Sequence, residues 1–189
     1  MHLASPNLLA ALRRAVLGLA VFAAAAGATA APGDSKEYAL KAAFLYNFTK
    51  FVAWPVERFG EAATPFVIGV FGESPFDADL EAEICARKVD GRPVKLLTVT
   101  TAADAQHVHI LFVPAGQERA AQPVLAALRE SAVLAVGETD AFRQQGGAIT
   151  FVVEGDKLRF IVDMDAADRA RLKVSAQLLK LAKRVQRNS

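Results

Sequence analysis

Phe66-Val67-Ile68-Gly69-Val70-Phe71, followed at once by Gly72-Glu73-Ser74-Pro75, is the stretch that decides the fold. A strand with one wet face alternates apolar and polar residues. This run has no polar position, so it reads as a strand buried on both faces, the habit of parallel sheets. Gly72 predicts a turn, and Ser74-Pro75 suit the N-cap and first position of a helix reaching about Ala86. The alternation continues downstream. A turn at Asp90-Gly91 precedes a strand over Val94–Val99. Val108–Val113 is a third strand, Gln117–Arg129 a helix, Val133–Val136 a fourth strand, and Asp140–Gln144 a short helix. Then the pattern changes: Ala148–Val153 and Lys157–Asp163 flank Glu154-Gly155-Asp156 as a tight hairpin. A last helix is predicted from about Ala166 to Arg187. Upstream, Leu40, Phe44, Leu45, Phe48, Phe51 and Val52 recur at helical spacing, which predicts a helix from about Lys36 to Trp54, stopped by Pro55. The sum is an α/β layered sandwich: a mixed, mostly parallel sheet flanked by helices, with an antiparallel hairpin near one edge.

The N-terminus reads as routing. Arg13-Arg14 precede an apolar run from Ala15 to Ala26, and Ala28-Thr29-Ala30 has the small-x-small pattern of a signal-peptidase site. The run is short and alanine-rich for a membrane span, which takes about 20 strongly apolar residues; an uncleaved anchor is the competing reading. The organisation expected is therefore a signal peptide over residues 1–30, a short leader over 31–36 and a single domain over 37–187. The two signal-segment arginines account for the excess of 22 basic over 20 acidic residues. A neutral exported domain argues against nucleic acid as a partner. Cys85 is the only cysteine, so no internal disulfide can form, and a free cysteine of this kind is expected to be buried.

No catalytic constellation emerges. His107 and His109 lie two apart on the predicted third strand, which would put them on one face as half of a metal site, but no further ligand completes it. Asp163, Asp165 and Asp168 lack the glycine and later glutamate of a calcium loop; capping the last helix is the simpler role. No serine sits in a nucleophile-elbow pattern. Gly69 to Gly72 is at most a weak anion cradle, although doubly wound sheets do bind small molecules at their strand ends. No cofactor is indicated. Charge is uneven: residues 57–83 carry seven acids against Arg58, whereas the last predicted helix carries Arg169, Arg171, Lys173, Lys180, Lys183, Arg184 and Arg187. Opposed patches of this kind are either solvated faces or protein contacts. Phe51 and Trp54 read as core, or as an aromatic ligand or dimer contact.

Several segments together carry a resemblance. They are Glu37 through Pro55, Ile68–Gly72 with Pro75-Phe76, His109–Val113, Gly146–Ile149, Arg159–Asp163, Leu172–Ser175 and Leu178-Leu179. In this order and spacing the chain resembles the YfiR-like family. The resemblance implies a periplasmic inhibitor, without catalytic turnover. Such a protein binds the periplasmic sensor domain of a membrane diguanylate cyclase and lowers cyclic-di-GMP signalling and biofilm formation. It also implies a homodimer, and an OmpA-like outer-membrane lipoprotein able to sequester the inhibitor. The partner surface it implies lies around Asp163, Arg171, Leu172 and Val174. Three positions depart from the family's usual pattern: Val108 stands where a cysteine often precedes the histidine, Asp163 for a frequent asparagine, and Arg171 for a glycine. A small-molecule binding module and a metal-assisted hydrolase using His107 and His109 are the competing functions.

Overall fold

The computed structural model describes residues 32–61 and 64–187. The export signal read in residues 1–30 lies outside them. Helix α1 (Pro32–Phe51) opens the domain. It starts ahead of Lys36, because Pro32 has the fixed φ that suits a first helical turn; the stretch read as a leader is helical from that point. It ends before Trp54, since Val52–Ala53 peel off as strand β1. A 3₁₀ turn at Val56–Arg58 follows.

The main sheet is built from β2 (Phe66–Phe71), β3 (Lys88–Val89), β4 (Arg92–Val99), β5 (Ile110–Val113), β6 (Leu134–Gly137), β7 (Ile149–Glu154), β8 (Lys157–Asp163) and β10 (Arg184–Gln186). Their order across the sheet is β10-β8-β7-β6-β5-β2-β4-β3. Strands β4, β2, β5, β6 and β7 run parallel; β8 turns back through the Glu154–Lys157 hairpin with β10 alongside it, and β3 is antiparallel at the far edge. From β2 the chain crosses to one side, to β4, and then returns to the other, to β5. The topological switch point therefore lies between β2 and β5, as in flavodoxin-like sheets. A second, two-stranded sheet pairs β1 with β9 (Lys173–Val174) antiparallel.

Helices cover both faces. Ala42, Leu45 and Phe48 of α1 and Ile84 of α2 (Ala78–Cys85) pack over Phe66, Ile68, Ile110, Phe112 and Phe151. On the other face α3 (Ala102–Ala105), α4 (Glu118–Ala127) and α5 (Asp140–Gln144) bury Leu111, Val113, Val124, Leu125 and Phe142. Ile110–Val113 sends alternate residues into the two cores, which is why no polar residue interrupts it. Gly69 sits where a Cβ would come within 2.8 Å of Val99 and Val108 side-chain carbons, so the run can tolerate only glycine there.

Three local expectations are corrected. The N-cap of α2 is Asp77, whose side chain accepts from the Leu80 amide at 2.8 Å, because Phe76 first dips into the core. Cys85 is exposed at the end of α2. The long last helix is broken: α6 (Met164–Arg169), β9, α7 (Ala176–Leu181) and β10 take its place. The break has a clear cause. Arg171 adopts φ 56°, its amide donates to the Asp168 carbonyl at 2.9 Å, and the Leu172 amide donates to the Ala167 carbonyl at 2.9 Å. These are the two bonds of a Schellman C-cap, with an arginine in the left-handed position that glycine normally fills. Leu172, next in line, is 2% exposed and anchors the turn in the core.

Candidate interaction surface

The sheet's two ends differ in charge. At the carboxyl ends of the parallel strands, where doubly wound folds usually bind ligands, side chains of α1 reach Glu138 after β6 and Phe76 after β2. Lys41, 3% exposed, pairs with Glu138 just after β6 at 3.0 Å and with Glu37 at 2.5 Å. The Lys41 ammonium also sits 4.4 Å from the Tyr38 ring, and Tyr38 packs edge-on against Phe76. Burial raises the Glu138 pKa, with Lys41 opposing the shift. The charges here are spent on one another.

At the amino ends they are not. The Trp54 indole N–H donates to the His109 carbonyl at 3.1 Å, which fixes the chain leaving β1. The 3₁₀ turn then aims Arg58 back over the loop before β5, donating to the Gln106 carbonyl at 3.0 Å and the Val108 carbonyl at 2.6 Å. The Arg171 guanidinium bonds only a backbone oxygen, that of Glu130, at 2.9 Å. Burial first, and the nearby Arg171 charge second, lower the Arg58 pKa from its ordinary value. Across the small sheet, Lys173 pairs in register with Ala53 and Val174 with Val52. Among the described residues, none of Arg58, Arg171 and Lys173 has a carboxylate within salt-bridge distance. Val56, 75% exposed, lies beside them in the turn.

The sequence-predicted residues fall around this face in different roles. Arg171 is exposed and Val174 half-buried. Asp163 is 9% exposed; its Oδ1 accepts from the Ala166 amide at 2.8 Å, so it caps α6. Leu172 is core and presents no side chain to the surface. Phe51 is half-buried, and its carbonyl accepts from the Ser175 amide at 2.8 Å, tying α1 to β9. Arg58 was visible only as the lone cation within an acidic stretch; nothing in its spacing placed it beside Arg171.

The histidine pair does not share a face. His107 lies in the turn after α3, while His109 is 3% exposed and stacks between Phe59 and Phe66, with centroids at 5.0 and 4.5 Å. The Val67 amide donates to His109 Nδ1 at 3.0 Å, which leaves the neutral ring's proton on Nε2. Burial, then the Arg58 charge, push the His109 pKa down to about 4. Among the described residues no three His, Cys, Asp or Glu side chains converge as metal ligands. No helix among them is long and apolar enough to cross a membrane.

Fold and surface together define a doubly wound α/β domain in which Arg58, Arg171 and Lys173, at the amino ends of its sheet, have no carboxylate within salt-bridge distance among the described residues. The chain belongs to the YfiR/HmsC-like family, whose model matches residues 38–183. The family is one of periplasmic regulators of diguanylate-cyclase signalling and is regulatory rather than catalytic. No curated protein matches the sequence. Among solved structures, the ABC domain in complex with L-Trp from Streptococcus pneumonia is similar at 16% identity and TM-score 0.44, covering 64% of this chain and 55% of that one. A conserved domain protein from Vibrio cholerae is similar at 11% identity and TM-score 0.47, covering 64% and 54%. The O-acetylhomoserine sulfhydrylase of Wolinella succinogenes is similar at 12% identity and TM-score 0.35, covering 67% and 38%. The chain thus spans about half the length of the first two, and these likenesses are too distant to bear on function.

Proposed function

We propose that this chain is an exported inhibitor. On this reading residues 1–30 are a cleaved signal. The domain acts in the periplasm as a homodimer that binds the periplasmic sensor domain of a membrane diguanylate cyclase and lowers cyclic-di-GMP output. An OmpA-like outer-membrane lipoprotein can draw it away from the cyclase. The contact is the amino-end face: Arg171, Lys173 and Arg58 supply the charge, and Val174 and Val56 supply apolar area. Asp163 and Leu172 hold the loop that presents them.

The observation that carries the reading is the Arg58–Arg171–Lys173 group, gathered from the chain's two halves with no carboxylate within salt-bridge distance among the described residues. Like charges held close repel one another, so the arrangement suits a partner that brings acidic groups to it. Arg171 strengthens the case because an arginine in a left-handed glycine position costs stability, roughly 1 kcal/mol. The cellular test expresses the full chain, with its export signal, alongside a periplasmic-sensor diguanylate cyclase from the same cell. The variant Arg171→Glu/Lys173→Glu should restore cyclic-di-GMP towards the level seen without the inhibitor. Full inhibition by that variant, at equal periplasmic abundance, would remove this face from the account.

A further inference from the structure

The two edges of the main sheet carry opposite charge. By the β4–β3 edge, α2 and the turn before it hold Glu73, Asp77, Asp79, Glu81 and Glu83, with no cation between residues 73 and 83. At the other edge, residues 180–187 hold Lys180, Lys183, Arg184 and Arg187 and no acid. The β7–β8 hairpin beside them adds Lys157 and Arg159 against Glu154 and Asp156. Six large apolar side chains are exposed among the described residues, and three of them, Val153, Leu181 and Val185, lie at this same cationic edge. The geometry points to the β8–β10 edge as a docking surface for an anionic lipid bilayer.

Contacts within the edge make it one surface. The Lys183 amide donates to the Phe160 carbonyl at 2.8 Å and the Lys183 ammonium pairs with Glu154 at 2.5 Å. The chain leaving α7 therefore lies against the hairpin, which brings Leu181 and Val153 to one end of the edge. Val185 pairs in register with Val162, and Val162 belongs to the core that α1 and Leu178 of α7 cover. Val153, two residues after Phe151 of that core, points to the same side. Arg159 and Arg184 occupy the alternate positions and stand on the opposite side. The aliphatic groups thus form a strip with lysines of the α7 segment along one flank and arginines along the other. Glu154 holds Lys183 and Asp168 holds Arg187, but Lys157, Arg159, Lys180 and Arg184 have no carboxylate within salt-bridge distance among the described residues.

Edges of opposite sign make the domain an electric dipole across the width of its sheet, and a negatively charged plane turns it cationic edge first. A soluble acidic partner would need only the cations. A bilayer uses both features at once: anionic headgroups meet the lysines and arginines, and the acyl boundary takes up the aliphatic strip. Long cationic side chains suit this placement, because their stems lie along apolar surface while their heads stay at headgroup level. This edge is separate from the amino-end face and does not depend on the cyclase reading.

The protein purified from the periplasm is mixed with vesicles of phosphatidylglycerol and phosphatidylcholine in equal parts, or of phosphatidylcholine alone, and the bound fraction is read by flotation. Partitioning onto the anionic vesicles should be stronger by about tenfold or more. It should weaken as salt rises from about 0.05 to about 0.5 M, since screening shortens the reach of the charges. Lys180→Glu/Arg184→Glu should lower it by about tenfold or more, whereas Arg119→Glu/Arg129→Glu, the same change of charge around α4, should leave it nearly intact. Leu181→Ser/Val185→Ser should lower it by about threefold or more, with an unfolding midpoint near that of the parent. Equal partitioning onto both kinds of vesicle, or equal losses from the two charge reversals, would overturn the inference. So would a serine variant that binds as tightly as the parent, the mark of a purely electrostatic surface for an acidic protein.

Discussion

The carboxyl and amino ends of the same parallel sheet treat their charged groups in opposite ways. At the carboxyl ends α1 brings Lys41 to Glu138, and Lys41, Glu138 and Glu37 neutralise one another there. At the amino ends Arg58, Arg171 and Lys173 have no carboxylate within salt-bridge distance among the described residues. The contrast teaches where this fold keeps its binding capacity. On the proposed reading, the working face is the end of the sheet whose cations lack carboxylate partners, not the switch point where Lys41 and Glu138 pair.

The closed end is tested by removing its cation. Lys41→Met strands Glu138 in a site where burial already raises its pKa. Breaking a buried pair from one side costs about 3–5 kcal/mol. Urea unfolding should show a loss of that size, and Lys41→Met/Glu138→Leu should recover much of it. A loss below about 1 kcal/mol, the value of an exposed pair, would mean that α1 is not fastened to the carboxyl end through this pair.

The open end has its own pH signature. His109 titrates near 4 when folded and near its ordinary 6.5 when unfolded. Between these values the unfolded chain binds a proton that the folded chain does not, so the His109 contribution is complete above 6.5 and lost as pH falls towards 4. From pH 7 to pH 5 the expected loss is about 2 kcal/mol. Comparing urea unfolding at the two pH values measures it. His109→Gln should flatten that part of the slope; an identical slope in the variant would assign the effect to other groups.

The smallest expected effect is the most discriminating. Arg171→Gly relaxes the left-handed residue of the α6 cap and should stabilise the fold by about 1 kcal/mol, while removing a cation from the contact face. Stability should rise as partner binding falls. A variant that lost both would show that Arg171 is chiefly structural.

Much of this architecture was legible in the sequence because buried strands announce themselves. Phe66–Phe71 needed no correction at either end, and the Glu154–Lys157 hairpin followed from Gly155 between two apolar runs. The last helix was misread because its interruption uses arginine where glycine would have signalled a stop, and because Ser175, the cap of α7, looked like an interior residue of a longer helix. Cys85 was misplaced since a composition rule cannot see which side of a short helix faces solvent. The candidate face was half legible. Arg171 and Val174 could be singled out from the chain's last third, but Arg58 joins them only through β1 pairing with β9, a contact between segments more than a hundred residues apart that leaves no periodic trace.

The central claim is that the amino-end face is where the regulator works. The direct measurement is the affinity of the purified exported protein for the periplasmic domain of its diguanylate cyclase, compared among the parent, Arg171→Glu/Lys173→Glu, and Lys36→Glu. Lys36 is an exposed lysine near the start of α1, by the closed end. The account predicts that the amino-end reversal weakens binding at least tenfold, about 1.4 kcal/mol, while Lys36→Glu leaves it unchanged. Equal affinity for all three proteins, or a loss confined to Lys36→Glu, would contradict it.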